Sequence, residues 1–523
     1  MKKNNNIAWL LLSLMVLCIS CYKDKGNYEY KPLEKLLIDT AKRNIRSDYA
    51  IYRYDELVIN PRIFFDQQEV TSPDQVAGKL AFTWSIYQAT SGKLYTRDTI
   101  SNEITLSKSI SKPAGRWIVI LSVKNLVTQV EEYMKFNVQV DEQLSDGWML
   151  LYEKNGNTDV GLIVDDWTKK NVVKTRTFSD MFQMSNGYPL LGEPRGLMHS
   201  ASTLTTAEVM IASARDLVAV EKSSFQVFYP FEKLFWSFVP GGEIKCISAN
   251  NTNGGRKEVI IYNNRIHGVN HSTSGVSRIN FFGTAYNGSY GDLAEWSATA
   301  FGIGFEAVVY DKTNKRFLNI PTNGTVVQGF SAQASTAAFD VNNVGLDPEA
   351  FDWGRGSGTP TVGYEYSVMK NNTDRFLLVS NFNSSTAVIG TGKYQITGIP
   401  LTTPIRTLNS AFVGNYTLMG TEKTVYLHRY QQGPNAIAEW EAPANEEVTC
   451  VRLQKFFYNP GLSAQLLPQP NTVVYIGTWN PGTKEGKVYA YIIDQTNGTI
   501  NKSTERVYTG FGKIKDMGYK WSL

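Results

Sequence analysis

One theme recurs through the last three-quarters of the chain and limits what it can fold into. A short run of Val, Ile, Leu and Tyr returns seven times, as GWMLLYE, AEVMIASA, KEVIIYN, EAVVYD, DRFLLVS, YTLMG and TVVYIGT. The runs begin near residues 147, 207, 257, 306, 374, 416 and 472, about 54 residues apart on average. Runs this short, rich in β-branched side chains and bounded by turn residues, are buried strands rather than helical turns. A unit of that length holds roughly four strands, and no helical period interrupts any of them. The pattern predicts an all-β fold, a seven-bladed β-propeller in which each run is the second strand of its blade. Neither a Trp-Asp signature nor a kelch double glycine recurs, so the repeat subfamilies named for those motifs are excluded.

The ends of the repeat carry a second expectation. EIKCISAN and EVTCVRLQ each precede a second strand and read as inner first strands, whereas GWMLLYE has no such strand before it. GKIKDMGYKW, at the C-terminus, has the same character and is followed by no second strand. The C-terminal strand is therefore expected to complete the first blade and leave the ring no open edge.

Ahead of the repeat, residues 33–141 read as short alternating strands. FTWSIY places Phe82, Trp84 and Ile86 on one face, and RWIVILSV does the same with Trp117, Val119, Leu121 and Val123. Period-two alternation around a central Trp is the pattern of an immunoglobulin-like sandwich. Before it, Lys2 and Lys3 precede an apolar run from Ile7 to Ile19, the length of a secretory signal and short of the roughly twenty residues of a spanning helix. The run ends in Ser20-Cys21, which resembles a bacterial lipobox, with Cys18 where Leu is usual. The expected organisation is a lipoprotein signal peptide over 1–20, lipidation at Cys21, a tether over 21–32, the sandwich over 33–141 and the propeller over 146–523. Acyl chains on Cys21 would hold the protein at a membrane that it does not span.

Composition narrows the partners. Charged residues make up 19% of the chain and aromatics 12%, led by 28 Tyr, which suits extracellular β-structure. The formal charge is +4 and falls to about +2 without the signal; there is no basic stripe, and nucleic acid is not an expected partner. Cys246 and Cys450 sit in strand-like contexts and read as buried thiols, although spacing leaves a bridge open.

The connections between units are long in the first half of the repeat and carry Tyr188, Phe235, Trp236, Tyr286, Tyr290, Trp296, Phe351 and Trp353. Long loops on one face of a rigid scaffold are usually functional, and flat aromatic rings stack on sugars or clasp apolar side chains. These eight residues are the expected ligand-binding set; packing within the protein's own loops is the competing explanation. Catalytic and metal signals are weaker. RIHGVNH has the i, i+4 spacing of a zinc helix but reads as strand and turn. Asp165 and Asp166 are adjacent and suit a turn or cap better than an acid–base pair, and DQTNGT suits a hairpin turn better than a calcium loop. No catalytic residue, metal or cofactor is expected.

Aromatic-x-Trp in FTWSI, then AGRWIVILSV and KFNVQV, resemble the polycystic-kidney-disease (PKD) repeat, with Trp117 where Tyr is usual. Lipobox, tether, PKD-like sandwich and a repeat opening with DGWMLLYE together resemble the PKD-like surface lipoproteins of Bacteroidetes. That resemblance implies an accessory to a Sus-type importer, a TonB-dependent porin with its lipoprotein lid. The expected protein is lipid-anchored at the outer membrane, on the cell surface, and non-enzymatic. It would bind a nutrient, an oligosaccharide or a peptide, or dock on the importer. A propeller glycoside hydrolase or lyase, and a purely structural subunit, are the rival expectations.

Overall fold

The computed structural model describes residues 35–39, 45–88, 96–141, 144, 146–169, 172, 174–200, 208–252, 255–271, 281–298, 304–322, 324–355, 363–382, 388–455 and 468–520. The signal, Cys21 and the tether lie outside them. The chain forms two compact units, Met1–Glu142 and Gln143–Leu523.

In the first unit, a five-stranded sheet runs in the order Asp48–Tyr52, Glu131–Asp141, Gly115–Asn125, Leu80–Gln88 and Asp98–Ser101. Only its Asp48–Tyr52 edge pairs in parallel. Leu36–Asp39, Arg62–Phe65 and Gln68–Val70 form a second sheet, and Glu56–Ile59 pairs with Leu106–Ser109. All three share one apolar core. Phe82, Trp84, Ile86, Val119, Leu121 and Val123 are buried there, as the alternation requires. Trp84 is the pivot: its ring lies on Phe136 with centroids 5.9 Å apart, and its Nε1–H donates to the Glu103 carbonyl at 2.9 Å. The indole thus buries its apolar body without leaving its one donor unmade.

The second unit is a succession of antiparallel sheets. Seven occur among the described residues, and in six of them the strands follow sequence order, so neighbouring strands there are joined by hairpins. We number their first strands: β1 (Pro194–Ser200), β2 (Ile244–Thr252), β3 (Leu293–Ser297), β4 (Asp347–Gly354), β5 (Thr407–Ser410), β6 (Glu447–Leu453) and β7 (Lys513–Lys520). The last of these belongs to a sheet that begins elsewhere in the sequence. β7 pairs antiparallel with Gly147–Lys154, which continues through Asn157–Val164 to Arg176–Phe178. The C-terminal strand therefore occupies the first-strand position of the sheet that opens the repeat. Ile514, Met517 and Tyr519 of β7 are buried with Trp148, Leu150 and Tyr152 of that sheet and with Tyr475 and Val488 of the seventh.

Contacts between sheets run along these first strands: β7 touches β1, β1 touches β2, β2 touches β3, β4 touches β5, β5 touches β6 and β6 touches β7. β3 and β4 meet through Trp296 and Phe351, whose rings stack with centroids 4.4 Å apart and planes 9° from parallel. Close approach between the opening and seventh sheets is written into Gly161, where a Cβ would sit 2.9 Å from the Phe511 ring.

Six of the seven recurring runs are second strands of their sheets: Gly147–Lys154, Glu208–Ser213, Gly255–Tyr262, Phe305–Asp311, Thr417–Gly420 and Val473–Asn480. The seventh, DRFLLVS, is corrected. Arg375–Ser380 is the third strand of its sheet, and the second is Tyr364–Lys370. That second strand buries Glu365 and Ser367, which broke the apolar run that marks its equivalents. Hairpins follow their turn chemistry: Asn263 and Asn264 both take positive φ in the two-residue turn before Arg265–His271.

Candidate functional site

The first strands of the second unit enclose a cavity of about 700 Å³, lined from Arg195–His199 on β1 around to Lys515–Tyr519 on β7. This size falls within the range of small-ligand sites. First strands of successive sheets adjoin, so their side chains form the wall.

Aromatic and charged groups divide that wall. Trp296 of β3 and Phe351 of β4 form the stacked pair, and Trp353 of β4 lies further along the same strand. The Lys455 ammonium sits 5.2 Å from the Trp353 ring centroid, a cation–π contact. It also pairs with the Asp352 carboxylate and donates to the Trp353 carbonyl. Burial pushes the Lys455 pKa down, and the adjacent Asp352 charge works against that shift. Asp352 accepts as well from the backbone N–H of Ser410, so this buried pair ties β4, β5 and the residues after β6 together.

On the next stretch of wall, Arg452 of β6 donates from Nε to Asp516 Oδ1 of β7 at 2.9 Å and reaches the Leu408 carbonyl of β5 at 3.4 Å. Burial disfavours its charge most, but Asp516, Cys450 and Asp352 together outweigh that and raise the pKa, so the guanidinium stays charged. Two side chains fix the register of β5 against β6. Thr407 Oγ1 accepts from Val451 N at 3.2 Å, and Asn409 Oδ1 accepts from Leu453 N at 3.0 Å. Asn409 is 1% exposed and belongs to the cavity lining, and its buried Nδ2 has no hydrogen-bond partner among the described residues; nor has the buried Oγ1 of Thr449, also in the wall. Glu295 of β3 and Lys515 of β7 line the cavity as exposed residues and form no ion pair among the described residues.

Of the eight aromatic residues expected to bind ligand, the cavity brings together three: Trp296, Phe351 and Trp353. They lie on strands β3 and β4, and the loop placement expected for them is corrected. The sequence around them carries Asp and Gly at turn-like spacing, yet the strands pair through bulges that tolerate it. Phe235 is 7% exposed and packs edge-on against Phe231 at 5.6 Å, so its ring is interior. Tyr286 and Tyr290 pack partly buried on the cluster around Cys246 and Leu293, and burial raises both phenol pKa values. Trp236 is 81% exposed, and Tyr188 is half-exposed and edge-on to Phe182 at 5.5 Å; neither lines the cavity. Loop aromatics were legible, but their destination was not, because a ring serves equally well between sheets.

The polar residues of the wall had not been singled out. Their sequence signal was present: Arg452 in EVTCVRLQ and Lys515-Asp516 in GKIKDMGYKW are charges inside strands otherwise built to be buried. Asp165 and Asp166 do make a turn: Asp165 Oδ1 accepts from the backbone N–H groups of Trp167 and Thr168 at 3.1 and 2.9 Å. RIHGVNH is a strand, with His267 Nδ1 2.9 Å from the Gly283 carbonyl. Asp494–Thr499 closes the hairpin between Glu485–Ile493 and Ile500–Phe511. Cys246 and Cys450 are buried free thiols, each pushed up to about 12 by burial. No cluster of His, Cys, Asp or Glu suited to a metal occurs among the described residues.

The PKD-like family model matches residues 21–194, one-third of the chain. No curated protein matches the sequence. Similar solved structures include a quinonprotein alcohol dehydrogenase-like protein from Bacteroides thetaiotaomicron, at 12% identity and TM-score 0.42, covering 92% of this chain and 98% of that one. The β-propeller domain of Myceliophteria thermophila Cps50 (Swd1) aligns at 7% identity and TM-score 0.31, over 73% of this chain and 90% of that one.

Proposed function

We propose that this chain is a non-enzymatic binding protein, lipid-anchored at Cys21 on the outer membrane and accessory to a Sus-type nutrient importer. Its second unit acts as a seven-bladed propeller closed between its first and last sheets, and it captures a small ligand, an oligosaccharide or a peptide, in the channel between the first strands. One observation carries this reading: the channel wall combines the Trp296–Phe351 stack and Trp353 with hydrogen-bonding side chains that already hold fixed positions. Rigid rings and strand-borne polar groups lose little entropy on binding, so modest contacts suffice for capture. The PKD-like match over residues 21–194 supports the PKD-like resemblance from which the surface-lipoprotein setting is inferred.

Titrating neutral oligosaccharides and short peptides into the full chain by calorimetry tests the site. Trp296→Ala and Trp353→Ala should each weaken the best ligand about tenfold, while Trp236→Ala, outside the channel, should leave it unchanged. Wild-type binding by both channel variants overturns the assignment. The anchor is tested separately: an alkyne-labelled palmitate should be incorporated in cells and be lost in Cys21→Ala.

A further inference from the structure

The channel contains donors and acceptors that the protein leaves unmatched, and they are segregated. β5, β6 and β7 are neighbours; among the described residues, Asn409 Nδ2 and Thr449 Oγ1 lie buried in their wall without partners, and the exposed ammonium of Lys515 has no ion pair. An exposed ammonium on a wall whose neighbouring donors lack acceptors favours a negatively charged ligand group there. Around the ring, β7 is followed by β1, β2 and β3, and on the other side by β6, β5 and β4. β3 therefore stands across the channel from β7. It carries Glu295, exposed and equally without an ion pair among the described residues. Arg452 does not contribute to the imbalance, since Asp516 neutralises it at 2.8 Å.

Resting on the reading of the channel as the binding site, we propose that its ligand is a zwitterion, a short peptide with free ends. Its carboxylate lies against Lys515, and its ammonium lies against Glu295. A neutral sugar offers hydroxyls to both walls but compensates neither charge. A short peptide compensates both and gives its apolar side chains the Trp296 and Trp353 rings.

The test uses the full chain with four probes: trialanine, its N-acetyl form, its C-terminal amide and a neutral trisaccharide. Trialanine should bind best. Amidation should weaken it about tenfold, and that difference should vanish in Lys515→Met; acetylation should do the same, and its difference should vanish in Glu295→Gln. Thermal melts of both variants verify folding. Blocked peptides binding as tightly as trialanine overturn the inference. So does trisaccharide binding that Trp296→Ala abolishes and Lys515→Met leaves intact, although the channel then stands as the site. If no probe binds, both the inference and the channel reading fail.

Discussion

The guanidinium of Arg506 lies over the indole of Trp167, 3.7 Å from the ring centroid. Arg506 belongs to the outer strand of the seventh sheet, Ile500–Phe511, and Trp167 to the turn after Asn157–Val164 of the opening sheet, so the pair joins the two ends of the repeat. Asp165 and Asp166 reinforce it. Arg506 Nη1 bridges both carboxylates, at 3.0 Å to Asp165, and Tyr508 donates its hydroxyl to Asp165 as well. Two adjacent aspartates thus serve one cation, the first from a buried turn and the second from the surface.

Arg506→Ala should consequently destabilise the second unit by about 2 kcal/mol, combining a lost cation–π contact with the stranded Asp165 carboxylate. Asp166→Asn should cost less than about 1 kcal/mol, because that carboxylate is largely exposed. Denaturant unfolding followed by tryptophan fluorescence measures both; equal losses from the two variants would contradict this account.

Removing residues 513–523 deletes β7. It strips the strand partner from Gly147–Lys154 and the packing of Ile514, Met517 and Tyr519. Calorimetry should show the transition of the second unit lost or shifted down by more than about 10 °C, since several fully buried side chains are worth roughly 1.5–3 kcal/mol each. A truncated chain that melts like the full-length protein would refute closure by this strand.

The buried Asp352–Lys455 pair makes a sharper prediction, through a double-mutant cycle. Asp352→Ala leaves a nearly buried ammonium without its counter-ion and should cost about 3–5 kcal/mol. Lys455→Met combined with Asp352→Ala should recover much of that loss, because no isolated charge remains. Additive losses in the double variant would show that the two residues do not act as a pair.

His428 sets a pH dependence. It is fully buried in the sixth sheet, with Nε2 3.2 Å from the Gly433 carbonyl. Burial lowers its pKa from the usual 6.5 to about 4, although the carbonyl contact favours the charged form. The folded pKa is the lower one, so the unfolded chain takes up the proton first. Its stabilising contribution is complete above about pH 6.5 and is lost as pH falls toward 4, amounting to at most about 3 kcal/mol. The slope of stability against pH over that window should flatten in His428→Gln; an unchanged slope would exclude this histidine as its source.

Much of the architecture was legible along the chain. Seven apolar runs at a regular interval, and an inner-type strand at the C-terminus, depend only on local alternation and burial, which sequence records directly. The same logic located Trp84 in the first unit. It failed at DRFLLVS because the true second strand buries Glu365 and Ser367, polar residues whose burial is allowed only by neighbours distant in sequence.

Tertiary structure alone decided the site. Trp296, Phe351 and Trp353 came to the channel and Phe235 to the interior, although all four are aromatic residues near long connections. Whether a ring faces a cavity or a neighbouring sheet depends on which strands adjoin, and residues such as Glu295 and Lys515 are more than two hundred positions apart. Local propensity chooses strands, whereas which side chains line one cavity is a property of the assembled sheets.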